Sequence, residues 1–288
     1  MIGRAACRGA ATIVNAIATG KGAAFGITLE ADAEVTVNDA AEGFMVQAPE
    51  EGHRLAQGCV RAVAARAGRK AQGGIIRIES DIPVSRGLKS SSAVSNALVL
   101  ACAGALGADL SDQEALDIGI DESVKAGITI TGAFDDAAAC LMGGVVVTDN
   151  GERKVLRTGR LDPGLVVLMH VPDRRISKQS VKSLDFGPIR QEVEHAFALA
   201  MKGEYAKALE LNSRAYAKVL DVSEEAAEAA RLKGALAAGI SGTGPATVAL
   251  ARPSDADAVT DAFKAFEGRV LRAGINDTPA RKVVPRLL

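Results

Sequence analysis

Between Ser90 and Ala108 the chain carries no charged side chain, and three consecutive serines open that stretch directly behind Pro83-Val84-Ser85-Arg86-Gly87-Leu88-Lys89. A helix built from such a run has no charged face to offer water, so other elements must enclose it. Asp81-Ile82-Pro83 ends a strand, Ser85-Arg86-Gly87 reads as a turn, and serine hydroxyls suit the free amides of a helix start. The stretch therefore predicts a strand, a loop and a buried helix, in that order. It does not predict a membrane span: the serines open this run, and Ser241-Gly242-Thr243-Gly244-Pro245 interrupts the other apolar run, 234–251. The amino terminus carries Arg4 and Arg8 but no compact apolar segment before a small-residue cleavage site, so a cytoplasmic protein is expected.

Composition narrows the classes of partner. Lys plus Arg number 34 against 35 Asp plus Glu, and no basic cluster stands out, so neither nucleic acid nor an anionic membrane surface is expected as a partner. Trp is absent and aromatic residues make up 3% of the chain, too few for a base-stacking platform. Cys7, Cys59, Cys102 and Cys140 lie far apart from one another and form no CxxC pair, which predicts buried free thiols rather than a metal centre.

The 288 residues suffice for one large or two medium domains. Short strands are predicted at 10–16, 33–37 and 75–79, with a helix at about 52–67. Gly143-Gly144-Val145-Val146-Val147 closes this half, and a second α/β pattern starts at 165–169, with helices near 189–201, 205–220 and 223–236. The division is placed near residue 155, giving units 1–155 and 156–288.

Three places carry chemistry. In the 83–93 loop, Gly87 permits a sharp turn, the helix that follows offers unpaired amides, and Ser90, Ser91, Ser92 and Lys89 can meet a polyphosphate. The spacing is not that of a Walker A loop, and a plain serine-capped helix is the other reading. Gly239-Ile240-Ser241-Gly242-Thr243-Gly244-Pro245 is a turn suited to close backbone approach. Asp135 and Asp136 stand at the start of a helix, either as acids complementing its dipole or as a base or metal ligand.

In this order the motifs resemble those of the GHMP kinases. Pro83 to Ala93 is similar to that superfamily's second motif, PxxxGLxSSxA, with Lys89 where many members have glycine, and Ser241-Gly242-Thr243-Gly244-Pro245 is similar to the third. The resemblance implies an α+β, two-domain fold, with a ribosomal-protein-S5-like amino-terminal domain and a ferredoxin-like carboxy-terminal domain, and ATP with Mg²⁺ in the cleft between them. Within the superfamily, Gly9 to Ala16, Thr19 to Ile27 and Gly87 to Ser92 resemble the archaeal type of shikimate kinase. That likeness implies transfer of phosphate from ATP to the 3-hydroxyl of shikimate. Homoserine kinase is the nearest competitor, followed by a silent nucleotide-binding module. A Rossmann dehydrogenase fits poorly, because Gly20-Lys21-Gly22 with Gly26 is spaced GxGxxxG.

The resemblance implies roles by position. Asp136, with Asp135 as alternative, is cast as base or orienting group, and Ser91 with Glu122 as Mg²⁺ ligands. Pro83, Ser85, Arg86, Gly87, Leu88, Lys89, Ser90, Ser91, Ser92 and Ala93 form the nucleotide loop. The basic residue that mevalonate-type kinases carry in their first motif has no counterpart around Thr12 or Val14, which leaves Lys21 or Lys89 to replace it. A ring carboxylate calls for a guanidinium, and Arg174, Arg175 and Arg281 are the candidates. Asn15, Thr19, Lys21, Ser241, Gly242, Thr243 and Gly244 complete the expected substrate side. Oligomeric state stays open between monomer and homodimer.

Overall fold

A computed structural model describes residues 1–38, 40–48, 52–84, 86–129, 132–174, 176 and 181–283. Two long strands, β1 (Ile2–Val14) and β2 (Lys21–Val37), form an antiparallel hairpin. The free edge of β2 is shared: its later half pairs with β4 (Gly73–Ser80) and its first residues with β5 (Val145–Asp149). β3 (Gly43–Gln47) joins β4 in parallel, and β6 (Lys154–Gly159) joins β5. β11 (Arg281–Val283) returns from the chain's far end to the outer edge of β1, pairing Arg281 with Ala6.

Helices α1 (His53–Arg66), α2 (Ser90–Leu106), α3 (Asp112–Lys125) and α4 (Phe134–Met142) pack together against this sheet. α2 is the uncharged run, buried along nearly its whole length against β1 and β2. Small residues allow that proximity: a β-carbon at Gly3 would collide with the Ala101 carbonyl of α2.

The second sheet is antiparallel, in the order β10 (Arg269–Gly274), β7 (Val166–Val171), β9 (Thr247–Ala251), β8 (Ala237–Ile240). Leu168 and Ala249 of this sheet share a core with Ala227 of α7 (Glu225–Leu232) and with Val259 and Phe263 of α8 (Ala256–Lys264). On its way from β7 the chain forms α5 (Arg190–Lys202) and α6 (Tyr205–Ala217), and α6 packs against both β8 and β1, joining the units.

The α+β class and two-unit organisation follow the expectation. Residue 155 falls inside β6, which continues the first sheet to Gly159. The strand expected at 33–37 ends the 17-residue β2, and that expected at 10–16 lies in the 13-residue β1 only as far as Val14, since Asn15 caps a short turn that starts at Ala16. All four cysteines are buried and free, and burial pushes their thiols upward, Cys7 to about 12. Among the described residues no helix is long and apolar enough to cross a membrane.

Candidate active site

The start of α2, the start of α4, the end of β1 and the glycine turn after β8 surround a cavity of about 750 Å³. Gly87 lines it with φ +87°, and a β-carbon there would collide with the Ser241 carbonyl. Only glycine meets both demands. Ser90, Ser91 and Ser92 form the first turn of α2, whose amides have no intrahelical acceptor and whose dipole is positive at the cavity wall. The arrangement suits an anion.

One serine holds three segments together. The Ser241 hydroxyl accepts from the Thr12 amide (3.1 Å) and donates to the Gly87 carbonyl (2.7 Å). The next peptide is clamped on both sides: the Gly242 amide donates to Thr12 Oγ1 (2.8 Å), and Asn15 Nδ2 donates to the Gly242 carbonyl (2.8 Å). Asn15 is itself held, its amide donating to Asn212 Oδ1 (2.9 Å) and its carbonyl accepting from the Tyr216 hydroxyl (2.8 Å), both on α6. Asn15 Oδ1 accepts from the Ile17 amide (3.0 Å). Asn15 thus borders the cavity with its side-chain amide engaged in joining the two units.

Asp135 and Asp136 both line the cavity but differ in setting. Asp135 is 4% exposed and accepts from Asn150 Nδ2 (2.7 Å), while Asn150 Oδ1 accepts from the Asp135 amide and from Thr148 Oγ1. A β-carbon on Gly22 would lie 2.5 Å from Asp135 Oδ2, so the carboxylate occupies the space that this glycine leaves. Burial and the neighbouring Asp136 charge push Asp135 up to about 7, against the opposing pull of Lys89 and Asn150. Asp136 is more open, and Lys89 Nζ stands 2.9 Å from its Oδ1.

Pro83, Leu88, Thr243 and Gly244 also line the cavity. Arg86 is not part of this lining, and its Nη2 donates to the Asp173 carbonyl (2.6 Å). Ala93 is buried within α2, and Ser241 lies beneath the wall, fully buried. Thr19 hydrogen-bonds the Lys21 backbone, and Lys21 stands 5.7 Å over the Phe197 ring. Arg174 donates to the Asp221 carbonyl (2.6 Å) beside a separate cavity of about 360 Å³. Glu122 of α3 pairs with Lys125 (2.6 Å) and packs against Gly58 of α1, outside the lining. Ser85, Arg175 and the Arg281 side chain lie outside the described residues. The sequence reading missed Asn150, which follows a strand as an Asn-Gly turn, and Lys182, which no motif marks.

Residues 54–144 match the family described as GHMP kinases N terminal domain, and residues 194–268 match GHMP kinases C terminal. The shikimate kinase of Methanothrix thermoacetophila is 40% identical over 98% of this chain and 96% of its own length. That of Thermococcus kodakarensis is 41% identical over 86% and 91%. The chain belongs to the GHMP kinases.

Solved structures of this fold include homoserine kinase from Cytophaga hutchinsonii (TM-score 0.78, 16% identity, 98% of this chain and 97% of that one). MDDEF in complex with MVAPP, AMPPCP and magnesium is another (TM-score 0.72, 15% identity, 98% and 99%). In this GHMP kinase the amino-terminal match holds the serine loop and both carboxylates, and the carboxy-terminal match holds the glycine turn, so the two matches meet at the cavity.

Ser241→Ala should leave the Thr12 amide and the Gly87 carbonyl buried without a partner, costing about 2–4 kcal/mol in denaturant unfolding. A second expectation concerns pH. A carboxyl raised to about 7 holds its proton in the folded state where the unfolded chain releases it near pH 4, so its contribution to stability fades as pH rises through that window. Asp135→Asn lacks this loss. Thermal melts from pH 5 to pH 8 should therefore show the variant gaining on the wild type as pH rises, and an unchanging difference would contradict the assignment.

Proposed function

We propose that this GHMP kinase transfers the γ-phosphoryl group of ATP to the 3-hydroxyl of shikimate. The observation that carries the reading is the meeting, in one cavity, of the α2 amino terminus, its serine hydroxyls and the Asp136 carboxylate. The acceptor's identity is supported by the likeness to shikimate kinases over nearly the whole chain.

Phosphoryl transfer asks for positioning and charge compensation more than for covalent chemistry. The amides of Ser90, Ser91 and Ser92, with their hydroxyls, hold phosphate oxygens, and Gly87 and Gly242–Gly244 let the backbone approach them closely. The Ser91 hydroxyl and the Asp135 carboxylate are hard oxygen donors on the cavity wall that would hold a magnesium ion arriving with the nucleotide. When bound, that ion offsets charge on the phosphates. Glu122, engaged against Gly58 and Lys125, has no part in this set.

Asp136 accepts the proton of the attacking hydroxyl, or orients that hydroxyl, as the oxygen–phosphorus bond forms and ADP leaves. Asp135, held from behind by Asn150, fixes the start of α4. Ile17, Leu184 and Phe186 offer an apolar wall to a carbon ring, and Lys182 faces the same space. Among the described residues Lys182 makes no ion pair, which leaves its ammonium for the ring carboxylate.

An ADP-release assay with shikimate and L-homoserine tests the reading. ADP formed with homoserine but not shikimate overturns the acceptor. Asp136→Asn should lower kcat by about 10³-fold with ADP affinity within about threefold of the wild type, and unchanged turnover would remove Asp136 from the chemistry. Lys182→Gln should raise the KM for shikimate by about 10-fold or more at nearly constant kcat, as expected for lost ground-state binding of a charged group.

A further inference from the structure

Lys89 occupies the one position of the serine loop where the resembling motif often carries glycine, and its backbone explains the glycine. The residue caps α2 at φ 64°, ψ 26°, in the left-handed region that a side chain disfavours. Four described non-glycine residues have positive φ: Lys89, Ala133, Arg153 and Asp221. Two of them, Lys89 and Ala133, line the cavity as the caps of α2 and α4, so half of this strain gathers at the site.

The conformation sends the side chain across the glycine turn. A β-carbon on Gly242 would lie 2.9 Å from Lys89 Nζ, so the ammonium passes through space which that glycine keeps open. It ends 2.9 Å from Asp136 Oδ1, with the side chain 7% exposed. No cation from the first strand reaches the same carboxylate among the described residues. Thr12 of that strand spends its hydroxyl on the Gly242 amide, and Lys21 stands over Phe197.

We infer that Lys89 is the positioning residue for Asp136, and that the helix cap keeps a strained lysine because no other cation pairs with this carboxylate among the described residues. The inference rests on the proposed phosphoryl transfer and adds to it the source of charge beside the acid. In that step the acceptor oxygen bonds the γ-phosphorus and the bond from that phosphorus to the β-phosphate oxygen breaks. The hydroxyl proton passes to Asp136 and Lys89 keeps its own.

The test compares Lys89→Gly, Lys89→Met and Lys89→Arg. Glycine and methionine should each lower kcat by about 100-fold or more while the KM for ATP stays within about threefold, and arginine should restore most of the loss. Glycine and methionine both remove the charge, but only glycine relieves the backbone, so the glycine variant should melt about 2–4 °C above the methionine variant. A merely structural lysine would move the melts and leave kcat alone. Turnover of the glycine or methionine variant within threefold of the wild type overturns the inference, as does a methionine variant that melts as high as the glycine one. The ratios are taken on whichever acceptor the wild-type enzyme uses. Inactivity toward shikimate therefore overturns the acceptor and leaves the Lys89 ratios readable.

Discussion

The site depends on a single buried hydroxyl. Ser241 receives the Thr12 amide and gives its proton to the Gly87 carbonyl, so the first strand, the serine loop and the glycine turn meet within two hydrogen bonds. Ser241 lies beneath the cavity wall, fully buried, where it touches all three segments. An apolar residue at 241 would leave two buried backbone groups without partners at the point where the loop must present its amides. The clamp on the next peptide, from Thr12 Oγ1 and Asn15 Nδ2, fixes the turn's orientation as well as its distance.

On this frame the charges are arranged unequally. The two adjacent carboxylates cannot both be ionised in a buried setting without compensation, and the structure separates their environments. Asp135 sits against Gly22 and accepts from Asn150, and burial with the neighbouring Asp136 charge pushes it toward neutrality despite the pull of Lys89. Asp136 has the ammonium. Both acids line the cavity, Asp135 tied back to Asn150 and Asp136 beside its counter-charge, the usual way in which neighbouring carboxyl groups take different tasks.

The serine loop was legible because its chemistry is local: turn, hydroxyls and helix start follow one another within eleven residues, 83–93. The carboxylates were legible for the same reason, as acids opening a helix before a glycine pair. What depends on distant partners was not. Asn15 reads as a polar group near a site, but its partner Gly242 is 227 residues away and leaves no trace in the local pattern. Glu122 has the right spacing from a glycine, yet that spacing does not show that α1 brings Gly58 against its carboxylate. Arg174 was proposed on chemistry alone, and the Asp221 carbonyl holds it at another cavity. The long strands were read as short ones because alanine and glycine, which let α2 lie directly on β1, blur the alternation that marks a strand.

The division of labour along the chain explains why the phosphate chemistry was easier to read than the acceptor. The parts proposed to face phosphate come from two helix starts and one turn, elements whose backbone geometry constrains residue type strongly. The wall formed by Ile176, Val181, Lys182, Leu184 and Phe186 comes instead from the connection between β7 and α5, whose described residues include no positive φ. A scaffold of this kind can keep its nucleotide machinery while the connection changes to suit another small hydroxyl compound. Structural neighbours with identities of 13–18% and TM-scores of 0.66–0.78 therefore speak for the shared frame alone.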